Sequence, residues 1–296
     1  MRARGGAARR AQALGQGTVA AQASPAAGTP GIGGTVLRLN DQPLANVTIS
    51  LGTYSTRTDA QGRFHLTGIP PGHYELNVDG ASASNNGRDY AQFVFGVDIQ
   101  ADRFTELTHA LYLPRVRAKD WTNINAPTTT ETVVTHPDIP DLEIRIPKGT
   151  VIRDRQGKIL TRIAIVPVPL DRAPFPVPGN FPVYFMFQPG GAVIQGLAPR
   201  SSPGIRIIYP NNTNEPPGTK TKLLVYDTRD RGWFEYGSAT VSDDGKQVVP
   251  EPGVGLYEHM AASYLTTGKP GPTPDIPPDS CKKQAQAADP DRKSVV

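Results

Sequence analysis

The chain has 296 residues and a formal net charge of +4, and Gly and Pro together supply roughly a fifth of it, which favours short strands and turns over long helices. The basic excess sits at the ends, in Arg2, Arg4, Arg9 and Arg10 and in Lys282, Lys283, Arg292 and Lys293, so no basic stripe for nucleic acid is expected. A single cysteine, Cys281, excludes an intramolecular disulfide, and no stretch approaches the roughly eighteen apolar residues of a membrane-spanning helix, so no membrane span is expected.

In chain order, MRARGGAARR opens like a signal peptide, but the following AQALGQGTVAAQASPA has only Leu14 and Val19 as large apolar residues and cannot serve as its hydrophobic region. Residues 1–30 are expected to be disordered. From Gly31 the pattern turns to strands. GGTVLRLN and ANVTISLG flank a DQPL turn, and in the latter Val47, Ile49 and Leu51 alternate with Thr48 and Ser50. TYSTRT reads as a short polar strand, RFHLTGI sets Phe64 and Leu66 on one face, and HYELNVDG sets Tyr74, Leu76 and Val78 on one face. AQFVFGVDI and FTELTHALYLP add two more. About seven strands with a turn signal every eight to twelve residues predict a small β-sandwich over 31–115.

Residues 116–131, polar and rich in Thr, are expected to link this sandwich to a second β-rich domain over 132–265. There Ile144 and Ile146 alternate with Arg145, and Ile163 and Ile165 with Ala164. PVPLDRAPFPVPGNFP is too rich in proline for a central strand and reads as an extended loop. Residues 266–296 are expected to be a Pro-rich disordered tail. The fold class expected is all-β, two sandwich domains between disordered termini.

TDAQGRF (58–64), RDRQGKI (153–159) and SDDGKQV (242–248) each set an acid ahead of a glycine. A calcium loop needs six or seven converging oxygens and a distant Glu, which none supplies, and Arg153 and Arg155 flank Asp154. Turn chemistry fits better: the acid caps the turn and the glycine takes positive φ. Gly62, Gly72, Gly157 and Gly245 are therefore assigned as structural turn glycines.

No metal, cofactor or catalytic residue is assigned. HExxH, the nucleophile elbow and a complete phosphate loop are missing, and His65 and His73, able to face each other across a hairpin, lack a third ligand. Trp121, Trp233, Tyr236 and Tyr257 admit two readings: core and interface aromatics, the commoner fate, or a sugar-stacking platform. NVT at 46–48 and NNT at 211–213 match the glycosylation sequon, a match frequent by chance.

The stretch 34–80 resembles the carboxypeptidase regulatory-like domain, through Gly34, Val36, Pro43, Leu44, Val47, Thr58, Asp59, Gly62, Phe64, Leu66, Pro71, Gly72, Tyr74, Leu76 and Val78. That resemblance implies a transthyretin-like, seven-stranded accessory sandwich related to starch-binding-like folds. The second region resembles the segment ahead of the repeats in bacterial RHS/YD-repeat proteins, through LEIRIPKGTVIRDRQG (142–157), PFPVP (174–178), QPGG (188–191), YPN (209–211), PPG (216–218) and WFEYGSATVSDDGKQVVP (233–250). Its IPKGT element also resembles ZU5-type β domains. The resemblance implies a non-catalytic module at the head of a larger surface or secreted protein, with a downstream YD-repeat shell, a surface protein or a glycan as partner. No YD repeats are present here, so the chain is expected to be a fragment. A carbohydrate-binding module is the alternative.

Overall fold

The computed structural model describes residues 28–84, 87–173, 181–195, 204–228, 232–259 and 262–264. Residues 1–27 of the expected disordered N-terminal segment, all of the tail 266–296 with Cys281, and PFPVP lie outside the described residues. The fold is all-β, and no α-helix occurs among the described residues.

Ten short strands precede Arg117: β1 (Gly31–Arg38), β2 (Thr48–Leu51), β3 (Tyr54–Arg57), β4 (Arg63–Thr67), β5 (Gly72–Asp79), β6 (Asp89–Tyr90), β7 (Gln92–Ile99), β8 (Phe104–Glu106), β9 (Leu111–Leu113) and β10 (Arg115–Val116). The count exceeds seven because FTELTHALYLP, which reads as one strand, breaks into β8 and β9, and because the brief β6 and β10 pair with each other. β1 lies between β4, antiparallel, and β8 and β9, which both run parallel to it. The second sheet has the order β3-β2-β5-β7. Alternate residues from both sheets form the first core: Ile32 and Val36, Phe64 and Leu66, Ile49 and Leu51, Leu76 and Val78, Phe93 and Phe95. Each large apolar side chain buried here contributes about 1.5–3 kcal/mol relative to exposure.

The remaining strands are β11 (Trp121–Asn123), β12 (Thr132–His136), β13 (Ile139–Ile146), β14 (Val151–Arg153), β15 (Arg162–Pro167), β16 (Phe185–Gln188), β17 (Ala192–Gln195), β18 (Arg206–Pro210), β19 (Lys220–Asp227), β20 (Gly232–Val241), β21 (Gln247–Pro250), β22 (Glu258–His259) and β23 (Ala262–Tyr264). A seven-stranded sheet has the order β12-β13-β18-β21-β20-β19-β23, and two three-stranded sheets have the orders β14-β17-β22 and β11-β15-β16. Ile144, Ile146, Ile207, Tyr209, Leu223 and Val241 from the large sheet meet Ile152 and Ile194 in a second core.

The sheet β11-β15-β16 joins the two cores. Strand side chains alternate between faces, and here both faces are apolar and buried. Ala164, Val166, Tyr184 and Met186 enter the first core, while Ile163, Ile165, Phe185 and Phe187 enter the second. The run RIAIVP is therefore buried on both sides, which accounts for its unbroken apolar character.

Candidate functional site: the joint between the cores

A bulge in β20 begins the joint. Leu223 pairs with Gly237 and Leu224 with Glu235, leaving Tyr236 as the extra residue. The inserted residue reverses the alternation, so Phe234 and Ala239 face the second core while Trp233 packs on the first. Trp233 stands edge-on to Phe181 (4.9 Å between centroids) and to Tyr226 (5.5 Å). The Tyr226 hydroxyl accepts from the Gly96 N–H at 3.2 Å. Gly96 is the place where the end of β19 meets β7: a Cβ there would stand 2.6 Å from the Thr228 carbonyl oxygen and 2.9 Å from the His73 ring.

Around that approach lies a polar cluster. His73 Nδ1 is 2.7 Å from Asp98 Oδ1, and its Nε2 is 3.0 Å from the Thr228 carbonyl oxygen. Carboxylate and carbonyl both only accept, so the two contacts are satisfied together only in the imidazolium form, with an N–H on each ring nitrogen. The Thr228 hydroxyl donates to Glu75, which also accepts from Arg155 at 2.7 Å. On the free edge of β7, the Gln188 side-chain amide accepts from the Gln92 N–H and donates to the Gln92 carbonyl, both at 2.9 Å, standing in for a neighbouring strand.

Two further ties flank the joint. Arg172 donates to Asp41 and lies over the Tyr112 ring at 4.7 Å. Hydrogen bonds from Arg172 and then Tyr112 hold the Asp41 carboxyl below the usual carboxylate range. In the stretch after β10, Asp120 is buried and accepts from the Arg117 N–H at 2.7 Å, with His136 Nε2 at 3.1 Å. The Asp138 N–H donates to His136 Nδ1 at 3.1 Å, which leaves Nε2 as the ring nitrogen that faces Asp120. The stretch 116–131 thus contributes β11 to the joining sheet, Asp120 to a buried pair and Ile124 to the second core.

The residues singled out from sequence fall into separate places. Asp59 Oδ1 accepts from the N–H groups of Gln61 (2.9 Å) and Arg63 (2.8 Å), and Gly62 sits at φ +75°. A Cβ at Gly62 would stand 2.3 Å from the Val36 carbonyl oxygen, and Val36 itself donates to the Gly62 carbonyl at 2.7 Å. Asp154 Oδ1 accepts likewise from Gln156 and Lys158, with Gly157 at φ +81°. At the third turn the residue that closes on Gly245 is Ser242, whose carbonyl accepts from the Gly245 N–H at 2.8 Å. Gly72 opens β5 at φ +153°. His65 and His73 stay apart: His65 packs edge-on to Phe104 at 5.4 Å, and His73 belongs to the joint. Among the described residues no three His, Cys, Asp or Glu side chains converge as a metal site.

Trp121, half-buried against the first core, lies under Arg162 at 4.3 Å. Tyr236 packs on the second core, where burial pushes its phenol well above the usual range. Tyr236 therefore packs on a different core from Trp121 and Trp233, and Tyr257 stays exposed. Of the sequons, Asn211 is buried, and its amide nitrogen donates to the carbonyls of Glu215 (2.9 Å) and Gly245 (2.8 Å), so a glycan there would take the hydrogen of at least one of these bonds. Sequence reasoning missed Gln188, Thr228 and Gly96. The only local signal was a glycine inside the apolar run of β7, a mark of close backbone approach.

Residues 31–112 match the carboxypeptidase regulatory-like domain. In this regulatory-like region the Thr58-Asp59 pair has a structural meaning: the buried Thr58 hydroxyl donates to Leu44 O at 2.7 Å and accepts from the Val47 N–H at 2.9 Å. No curated protein matches the chain. Among solved structures, the Bacillus anthracis TIE protein aligns at 11% identity with a TM-score of 0.25, covering 82% of this chain and 49% of that one. The chain thus spans about half the length of that protein. BcpA, the major pilin subunit of Bacillus cereus, aligns at 10% identity with a TM-score of 0.24, covering 82% of this chain and 97% of that one.

Proposed function

We propose that the chain is a non-catalytic structural and interaction module of a surface or secreted protein, built on a regulatory-like sandwich fused to a second β-rich region. The observation that carries this reading is the joint. The side chains best suited to chemistry or stacking, His73, Glu75, His136, Asp120, Trp121 and Trp233, hold one region of the chain to another. The finer reading is that residues 132–265 form the leader of an RHS/YD-repeat protein, supported by the order of its sequence motifs from LEIRIPKGT to DDGKQVVP. Its partners would then be the repeat shell downstream or another surface molecule.

Fractionation of source cells, probed with an antibody to residues 31–265, tests both levels. A band in the envelope or medium is expected, and a cytosolic band alone would overturn the surface assignment. A mass far above 31.7 kDa is expected for the leader of a repeat protein, whereas a band at that mass would remove the repeat assignment. A glycan array with the full chain separates the carbohydrate-binding alternative: the structural reading expects no hits.

A further inference from the structure

We propose that the regulatory-like region is a tension-bearing clamp, with β1 as the strand that carries the load. The inference rests on the reading of the chain as a structural surface module and says what such a module would do mechanically. Its basis is topology. β1 enters the region, and β9, followed directly by β10, leaves it. The two lie side by side and parallel, with Val36 opposite Leu111, Leu37 opposite Tyr112 and Arg38 opposite Leu113. β8 extends the same parallel ladder along the first half of β1, from Gly31 opposite Phe104 to Gly33 opposite Glu106. The Gly31 N–H donates to Arg103 O at 3.3 Å, and the Leu107 N–H donates to Gly33 O at 2.8 Å.

Tension along the chain pulls β1 toward its N-terminal end and β9 toward its C-terminal end. In parallel neighbours those ends are opposite, so the strands are driven to slide along each other. The hydrogen bonds of both ladders then bear the load together and must fail together. An antiparallel pair pulled from its adjacent ends opens one bond at a time instead. The same strand offers that contrast: β1 and β4 are antiparallel, with Gly31 opposite Thr67 at their common end. The sliding strand is also anchored in the first core by Ile32 and Val36, both essentially without solvent exposure. Sliding would drag these side chains out of register with Phe64, Leu111 and Leu113.

Forced unfolding reads the rate of crossing the unfolding barrier, and that rate depends on the direction of pull. The experiment attaches handles to the full chain through introduced cysteines in a Cys281→Ser background. One protein carries Thr29→Cys with Arg115→Cys, which shears β1 against β9. The other carries Thr29→Cys with Thr67→Cys, which unzips β1 from β4. At one loading rate the rupture-force distribution of the shear pair is expected to lie wholly above that of the unzipping pair. The length released identifies what opened: at about 3.5 Å per residue, roughly 300 Å for the span 29–115 and roughly 130 Å for 29–67. Equal forces, or a weaker shear pair, would overturn the proposal. Both proteins share one fold and differ in one handle position, so matching thermal melts show that the contrast is directional. Fractionation reads where the protein resides and the force comparison reads how its strands bear load, so the two can fail separately.

Discussion

The first core closes on a turn whose acid and glycine are buried, whereas the second leaves the glycine of its equivalent in solvent. Asp59-Ala60-Gln61-Gly62 and Asp154-Arg155-Gln156-Gly157 share their acid, glutamine and glycine, and both place two backbone N–H groups on one carboxylate oxygen. Around Gly62 the Val36 backbone leaves no room for a Cβ, while nothing lies within 4 Å of one at Gly157. Local sequence sets the shape of a turn; what packs against it sets how much stability depends on it.

Four experiments break or sharpen this contrast. The largest effect is expected at the sheet that serves both cores. Phe187→Ala should destabilise by about 4 kcal/mol and Met186→Ala, one residue away on the opposite face, by about 3 kcal/mol. Both should move one common denaturation transition, read by fluorescence and circular dichroism together; two separate transitions, each sensitive to one substitution, would mean that the cores unfold independently. Next come the glycines. Gly62→Val combines positive φ with backbone overlap and should cost about 3 kcal/mol, against about 1 kcal/mol for Gly157→Val. Similar urea midpoints for the two variants would refute the role given to Val36. Asp59→Ala removes a fully buried carboxylate that holds two amides and should cost about 2 kcal/mol, whereas the same change at the half-buried Asp154 should cost about 0.5 kcal/mol.

The smallest effect concerns pH. Gly33 on β1 is roofed by Glu106, Phe104 and His65, and a Cβ there would stand 2.5 Å from Glu106 Oε2. Burial raises the Glu106 carboxyl above its ordinary range, with His65 opposing. The folded state therefore favours the protonated acid, and stability declines as pH rises from the ordinary carboxyl range through the raised one. Glu106→Gln should melt slightly above wild type at neutral pH, with the difference closing near about pH 4. A difference independent of pH would show that ionisation of Glu106 is not its cause.

The first sandwich was legible because its determinants are local. Tyr74, Leu76 and Val78 show period two, and Thr58, Asp59 and Gly62 act within one turn and its neighbours. The joint was hidden because it depends on pairs far apart in the chain: Gln92 with Gln188, His73 with Thr228, Asp41 with Arg172. Ala164 between Ile163 and Ile165 is visible as a pattern, but nothing nearby reveals that its face is covered too. Trp233 carries the same ambiguity. An aromatic beside a strand bulge reads equally well as ligand platform or packing, and only the partner surface decides.

The two-faced sheet also limits how this chain can be rearranged by recombination. An exchange that moved residues 31–116 alone into another gene would strip Val166, Tyr184 and Met186 from the first core and would uncover the edge of β7 that Gln188 closes. Such hybrids start out prone to self-association. The heritable cassette is accordingly longer than its recognisable family segment, and it reaches at least to the end of β16.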